Sequence, residues 1–215
     1  MRMRRKPNLI SRIERCAHVH IQDPAAYRSI WKDVFNEYSA LWLEIGCGKG
    51  RFSVETAAQN PECLFIAIKK VPEAIVNAME RAAQEDVKNI RFIHADAAAL
   101  PVIFAEGELD RIFLNFCDPW PKRRYAKNRL TSPAFIAVYE SILSPGGTIH
   151  FKTDNPAFFE YSIEQFSARV SSWHITDITF NLHESGSADI MTDYEERFHS
   201  QGIAINRLIA KVCRQ

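Results

Sequence analysis

The stretch LWLEIGCGKG (41–50) runs an apolar strand pattern straight into Gly46, Gly48 and Gly50. Glycines at such a junction let the backbone turn sharply and let a ligand approach the main chain, at the carboxyl end of a strand, where open α/β sheets bind ligands. The spacing is G-x-G-x-G. A dinucleotide fingerprint, G-x-G-x-x-G, needs its third glycine where Arg51 stands. Glu44, two residues before Gly46, also argues against a pyrophosphate, because a carboxylate beside an anion cradle repels it. It suits a ligand with a cationic ammonium or sulfonium and no phosphate, and S-adenosylmethionine (SAM) has that constitution.

Two further positions are expected to hold the nucleoside of such a ligand. An acidic residue about 20 positions after the glycines, at the end of the second strand, accepts hydrogen bonds from ribose hydroxyls. Here that place reads FIAIKK, so Lys69 stands where Asp or Glu is expected. After the third strand, IHADAAAL offers Asp96, either as an acceptor for an adenine amino group or as a turn cap.

A second chemical stretch is DPWPKRRYAKNR (118–129), in which one aspartate, two prolines and a tryptophan give way to five cations. Pro119 and Pro121 stiffen the segment that carries Asp118. Trp120 is either a stacking surface for a base or a wedge against the core.

The elements that must position these residues follow from periodicity. LWLEI (41–45), CLFIAI (63–68), IRFIHA (90–95), DRIFLNF (110–116) and TIHFK (148–152) are rich in β-branched and aromatic residues. The first four are spaced as βαβ units require. Val71, Ala74, Ile75, Ala78, Met79 and Ala82 make one apolar helical stripe, and Phe159, Ile163, Phe166 and Val170 make another. Ser132 reads as an N-cap with Pro133 at the first helical position, and SPGG (144–147) closes that helix. The expected fold is a doubly wound, mostly parallel α/β sheet. Towards the end, WHITDITFNL and IAINRLIAKV read as two strands with no convincing helix between them, and so as an antiparallel pair.

With 47% hydrophobic and 25% charged residues among 215, the chain is expected to form one globular domain, 1–215, with a basic N-terminal extension, 1–20. No apolar run approaches the roughly 20 residues that span a bilayer, and no secretory signal follows the basic start, so a cytoplasmic location and no membrane partner are expected. The five scattered cysteines form no C-x-x-C pair and no zinc spacing; reduced thiols and no metal are expected. The net charge of +1 hides an asymmetry: residues 1–15 and 118–129 together hold +9 and the remainder −8. Clustered cations on an acidic body are what a polyanion-binding surface requires.

With EIGCGKG, HADA, LNFCDPWPKRR, HFKTDN and MTDYEERF in this order, the chain resembles the bacterial tRNA (guanine-N7-)-methyltransferase family over nearly its whole length. The resemblance implies a class I SAM-dependent methyltransferase fold of seven strands, the last antiparallel, with SAM as cofactor and tRNA as partner. Glu44, residue 69, Asp96 and Asp118 match the family's cofactor contacts, together with the loop of Gly46, Gly48 and Gly50, and Asp118 also matches its catalytic residue. Lys122, Asp154 and the run Thr192, Asp193, Tyr194 and Glu195 match its tRNA-guanine contacts. Arg123, Arg124, Lys127 and Arg129 fall in its RNA-binding segment.

The departure is Lys69, which cannot accept from ribose hydroxyls. It removes a charge-assisted bond of about 1.5–3 kcal/mol unless Glu73 reaches back from the following helix. Two rival readings therefore accompany the first: a SAM enzyme with another acceptor, and a non-catalytic RNA-binding relative with an impaired cofactor site. Tyr194 reads equally as a stacking surface or a packing residue.

Overall fold

The computed structural model describes residues 8–186 and 190–213, apart from the side chain of residue 185. Residues 1–7, with four cations of the basic N-terminal extension, lie outside the described residues, as do 187–189 and 214–215. The chain divides into two compact units, Met1–Phe104 and Ala105–Gln215.

The first unit carries four parallel strands in the order β1-β4-β3-β2: β1 (His20–Ile21), β2 (Ala40–Ile45), β3 (Cys63–Ile68) and β4 (Ile90–Ile93). Every residue of β3 is buried, the pattern of a parallel strand covered on both faces. Its helices are α1 (Leu9–Arg15), α2 (Trp31–Val34), α3 (Arg51–Gln59), α4 (Pro72–Gln84) and α5 (Leu100–Ile103). Proline at the first position starts α4, and Ile75, Ala78, Met79 and Ala82 of the expected stripe are buried. By contrast α1 buries none of its residues. It is held to α4 through Arg12, whose guanidinium donates to Glu80 at 2.7 and 2.5 Å and to Asn77 at 2.9 Å.

Register decides what this unit presents. Ala40 to Ile45 pair in step with Cys63 to Ile68, so β2 and β3 end level. The N–H of Gly46 donates to the Ile68 carbonyl at 2.9 Å and that of Lys69 to the Ile93 carbonyl at 3.1 Å. The turns after β2, β3 and β4 thus open on one edge.

The second unit carries β5 (Leu109–Asn115), β6 (Leu143–Thr153), β7 (Trp173–Thr179) and β8 (Asn206–Val212) in the order β5-β6-β8-β7. β5 and β6 are parallel, and β8 is antiparallel to both β6 and β7, as expected of the last strand. The described residues hold eight strands rather than seven, the extra one being the two-residue β1. Its helices are α6 (Pro133–Ile142), α7 (Pro156–Ser167) and α8 (Asp193–His199). Ser132 is the N-cap residue of α6, but its hydroxyl donates to the Lys127 carbonyl instead of capping. Phe159 and Phe166 of the second stripe are fully buried. Val170 lies past the end of α7 and is 79% exposed, because the stripe outran the helix.

The expectation of no helix between β7 and β8 is corrected by α8. The Thr192 hydroxyl accepts from the Glu195 N–H, and the Glu195 carboxylate reaches back to the Thr192 N–H, which is a capping box. Such a cap is worth about 0.5–2 kcal/mol and starts a helix of only seven residues.

Candidate functional site

In the first unit the candidate ligand-facing groups are mostly main chain. Gly46, Gly48 and Gly50 have φ of 95°, 54° and 87°, the left-handed region that side-chain-bearing residues avoid. A Cβ on Gly46 or Gly48 would meet no atom within 4 Å, so the loop leaves open space beside its backbone. Gly50 has a different reason: a Cβ there would lie 2.6 Å from that of Ala78, so this glycine lets the start of α3 close on α4. Glu44 is 2% exposed at the end of β2 and accepts from the Ser53 hydroxyl of α3, which fixes it under the loop. Burial, with Glu44 nearby, pushes the Cys47 thiol far up, so this residue packs as a neutral group.

At the next two turns the side chains point to different uses. Lys69 is half-buried, and Glu73 in the first turn of α4 is 9% exposed. Asp96 accepts from the Ala98 N–H at 3.0 Å, which caps the turn, and pairs with Lys70 at 2.7 Å. The backbone bond, and after it the Lys70 ammonium, hold Asp96 below the ordinary carboxylate range.

In the second unit the site is built from side chains on a strained turn. Asn115 of β5 pairs with Lys152 of β6, which places Asp118 and Asp154, three and two residues further on, past the carboxyl ends of neighbouring strands. Asp118 is exposed. The turn around it holds Phe116 at φ 51° and Trp120 at φ 42°, left-handed conformations that cost a non-glycine residue of order 1–3 kcal/mol each. Trp120 is 36% exposed and packs against Tyr125 with ring centroids 5.8 Å apart, and the Arg124 guanidinium lies 4.8 Å from the Tyr125 ring centre. Lys122, Arg123, Arg124 and Lys127 are all exposed on and beside a 3-10 helix, Arg123–Asn128.

Arg129 behaves differently. Its Nε donates to the Pro119 carbonyl at 2.8 Å and its Nη2 to the Trp120 carbonyl at 3.2 Å, while its guanidinium lies 4.2 Å from the Tyr161 ring centre.

The KTDN motif divides its labour residue by residue. Lys152, 4% exposed, donates to both carboxylate oxygens of Glu195 at 3.3 and 3.4 Å and to the Ile190 carbonyl at 3.3 Å. Thr153 Oγ1 accepts from the Asn155 N–H, and the Asn155 side chain caps α7 by accepting from the Phe158 N–H at 2.9 Å. Asp154 is left to accept from the Tyr194 hydroxyl at 3.4 Å. Tyr194, 43% exposed, lies 5.0 Å from the Phe116 ring and stacks on Phe198 at 4.2 Å. Burial and then the Asp154 carboxylate raise the Tyr194 phenol above its ordinary range. The root of the turn, the end of β6 and the start of α8 are therefore joined by direct contacts.

A family model described as "Putative methyltransferase" matches residues 39–208. The chain belongs to this methyltransferase family. It is the family to which the motifs point as tRNA (guanine-N7-)-methyltransferases. Solved structures agree on the class I methyltransferase fold. The 16S rRNA methyltransferase KamB shares 17% identity at a TM-score of 0.66, with 86% of this chain and 93% of that one covered. A 16S rRNA (adenine(1408)-N(1))-methyltransferase from Catenulisporales acidiphilia, in a structure with the cosubstrate SAM, shares 12% at 0.63, covering 89% and 92%. A 30S ribosomal A1408 methyltransferase from an uncultured bacterium shares 18% at 0.61, covering 86% and 92%.

The open backbone beside Gly46 and Gly48, the buried Glu44 carboxylate and the Asp96 carboxylate in the first unit of the methyltransferase are compatible with SAM. The unit fits less well at Lys69, where no carboxylate stands at the end of β3. Asp118, the expected catalytic residue, is exposed, as are Lys122, Asp193 and Tyr194 of the expected substrate residues, while Asp154 is half-buried. Thr192 and Glu195 are engaged in the cap of α8, and Glu195 is fully buried. Sequence reasoning missed Lys152. Its signal was an isolated lysine on the buried face of an apolar strand, which requires a buried anion elsewhere. Among the described residues no helix is long and apolar enough to cross a membrane. All five cysteines are free thiols, three of them buried.

Proposed function

We propose that the methyltransferase acts on RNA, transferring a methyl group from SAM to N7 of a guanine in the variable loop of tRNA. The observation that carries this reading is the strained turn holding Asp118, joined to an exposed run of cations and, through Phe116 and Tyr194, to Asp154. A small acceptor has no use for the cations; a polynucleotide does.

Guanine N7 has an in-plane lone pair and needs no prior deprotonation, so no strong general base is called for. SAM supplies an electrophilic methyl on a sulfonium. The protein's work is orientation of the base and stabilisation of the positive charge that grows on the purine ring. Asp118 accepts from the N1–H and amino edge of guanine, and Asp154, oriented by the Tyr194 hydroxyl, offsets the developing charge. Asp193 and Tyr194 are presented to the base by the turn that Thr192 and Glu195 fix. Lys122, Arg123, Arg124 and Lys127 hold phosphates, so affinity falls steeply with salt. Glu44, the glycine loop and Asp96 hold the methyl donor.

Incubation with labelled SAM and unmodified tRNA, followed by chemical cleavage at N7-methylguanine, tests the reading. Label with cleavage in the variable loop is expected; no label on tRNA, with label on ribosomal RNA in a parallel incubation, would replace it with another RNA acceptor. Lys69 favours a second reading, a non-catalytic RNA-binding relative. Calorimetric titration with SAM separates the two, since saturable heat removes the binding module.

A further inference from the structure

We infer that Arg129 is a positioning residue, locking the Asp118 turn for methyl transfer rather than adding a phosphate contact to the basic arm; the inference rests on the guanine-N7 reading given above. Its neighbours in sequence, Arg123, Arg124 and Lys127, are exposed, whereas Arg129 is half-buried. Its Nε and Nη2 are committed to the carbonyls of Pro119 and Trp120, at 2.8 and 3.2 Å. One face lies over Tyr161 at 4.2 Å and, further off, Phe158 at 5.8 Å. A guanidinium that recognises phosphate must offer its fork outward, and this one turns it onto the turn's own main chain.

The two carbonyls decide the role. They belong to the residues that directly follow Asp118, and the second is Trp120, whose left-handed backbone needs an external restraint to persist. The bonds close residues 119–129 into a ring, with the helix of cations inside it. That helix is braced by the Tyr125 N–H on the Lys122 carbonyl at 2.8 Å and the Arg129 N–H on that of Ala126 at 3.1 Å. Tyr161 and Phe158 belong to α7, which starts two residues after Asp154. One side chain therefore ties the turn carrying Asp118 to the helix that follows Asp154. Lysine cannot substitute, because a single ammonium lacks the planar fork that bonds two carbonyls while stacking on a ring.

The test uses the full chain with Arg129→Lys and Arg129→Ala, each checked for a native thermal melt. In both, kcat with saturating tRNA is expected to fall at least about tenfold. In Arg129→Lys the tRNA affinity and its slope against salt are expected to stay within twofold of wild type. A readout independent of activity is Trp120: of the four tryptophans, Trp31, Trp42 and Trp173 are buried, so acrylamide quenching without RNA reports mainly on this turn. Stronger quenching in both variants is expected. Retained kcat and unchanged quenching in Arg129→Lys overturn the inference. So does an Arg129→Ala variant that keeps kcat but loses about 0.7–0.9 from the salt slope, the mark of one phosphate contact. Should the wild-type chain methylate no tRNA, the functional reading falls by itself, while the quenching comparison still decides whether Arg129 holds the turn.

Discussion

The two units would meet their proposed ligands with different parts of the chain. In Met1–Phe104 the candidate groups are backbone turns at strand ends, made possible by glycines and backed by a continuous buried strand. In Ala105–Gln215 they are exposed side chains on a strained turn, resting on a buried ionic pair, Lys152 and Glu195. The difference suits the proposed ligands, SAM and RNA. A small, constant molecule is held by main chain that few substitutions can alter. A large polyanion is met by charges that reach out, and these need a rigid foundation because water competes for each of them.

Removing the foundation of the second unit is the most severe way to break this comparison. Lys152→Ala leaves the Glu195 carboxylate without its ammonium in a fully buried position, and a loss of about 3–5 kcal/mol is expected. Urea unfolding followed by intrinsic tryptophan fluorescence measures it, and a midpoint close to wild type would mean that water already reaches the pair.

The first unit is tested at its weak point. Lys69→Glu restores an acceptor at the end of β3, and SAM affinity is expected to rise about tenfold, the lower end of a charge-assisted bond of about 1.5–3 kcal/mol. An unchanged dissociation constant by calorimetry would show that Glu73 already fills the role.

Asp118→Ala sharpens the contrast from the other side. Turnover is expected to fall about tenfold or more, with SAM affinity reduced less. Equal losses in both would assign Asp118 to the donor.

The smallest effect is expected at Tyr194. Its phenol is raised by burial and by Asp154, so the neutral form is the one folding favours. The bond to Asp154 is therefore fully present below the ordinary phenol range near about 10 and is lost as pH rises through the higher folded value. Tyr194→Phe is expected to cost under about 1 kcal/mol at neutral pH and to remove this alkaline loss of stability. Chemical denaturation at several pH values checks both.

Much of this layout was legible in the chain because it depends on local pattern. The strands β2 to β5 announce themselves by runs of apolar residues, and Gly46 and Gly48 by their place after β2. The cation-rich stretch after Asp118 was equally plain. What stayed hidden depends on distant partners. Arg129 looks like one more cation until its guanidinium is seen on the carbonyls of residues ten and nine positions back. Glu195 looks like a substrate contact until Lys152, 43 positions away, claims it. The helix α8 was overlooked because its seven residues are too few for a periodic stripe, although the T-x-x-E of its cap was visible.

The left-handed turn residues also set a limit on improving this protein. Replacing Trp120 by glycine would relieve a backbone penalty of order 1–3 kcal/mol, since glycine adopts that conformation freely. The same replacement would remove the indole on which Tyr125 packs and let the turn wander. Relief of backbone strain and retention of an ordered turn therefore pull in opposite directions at this one position.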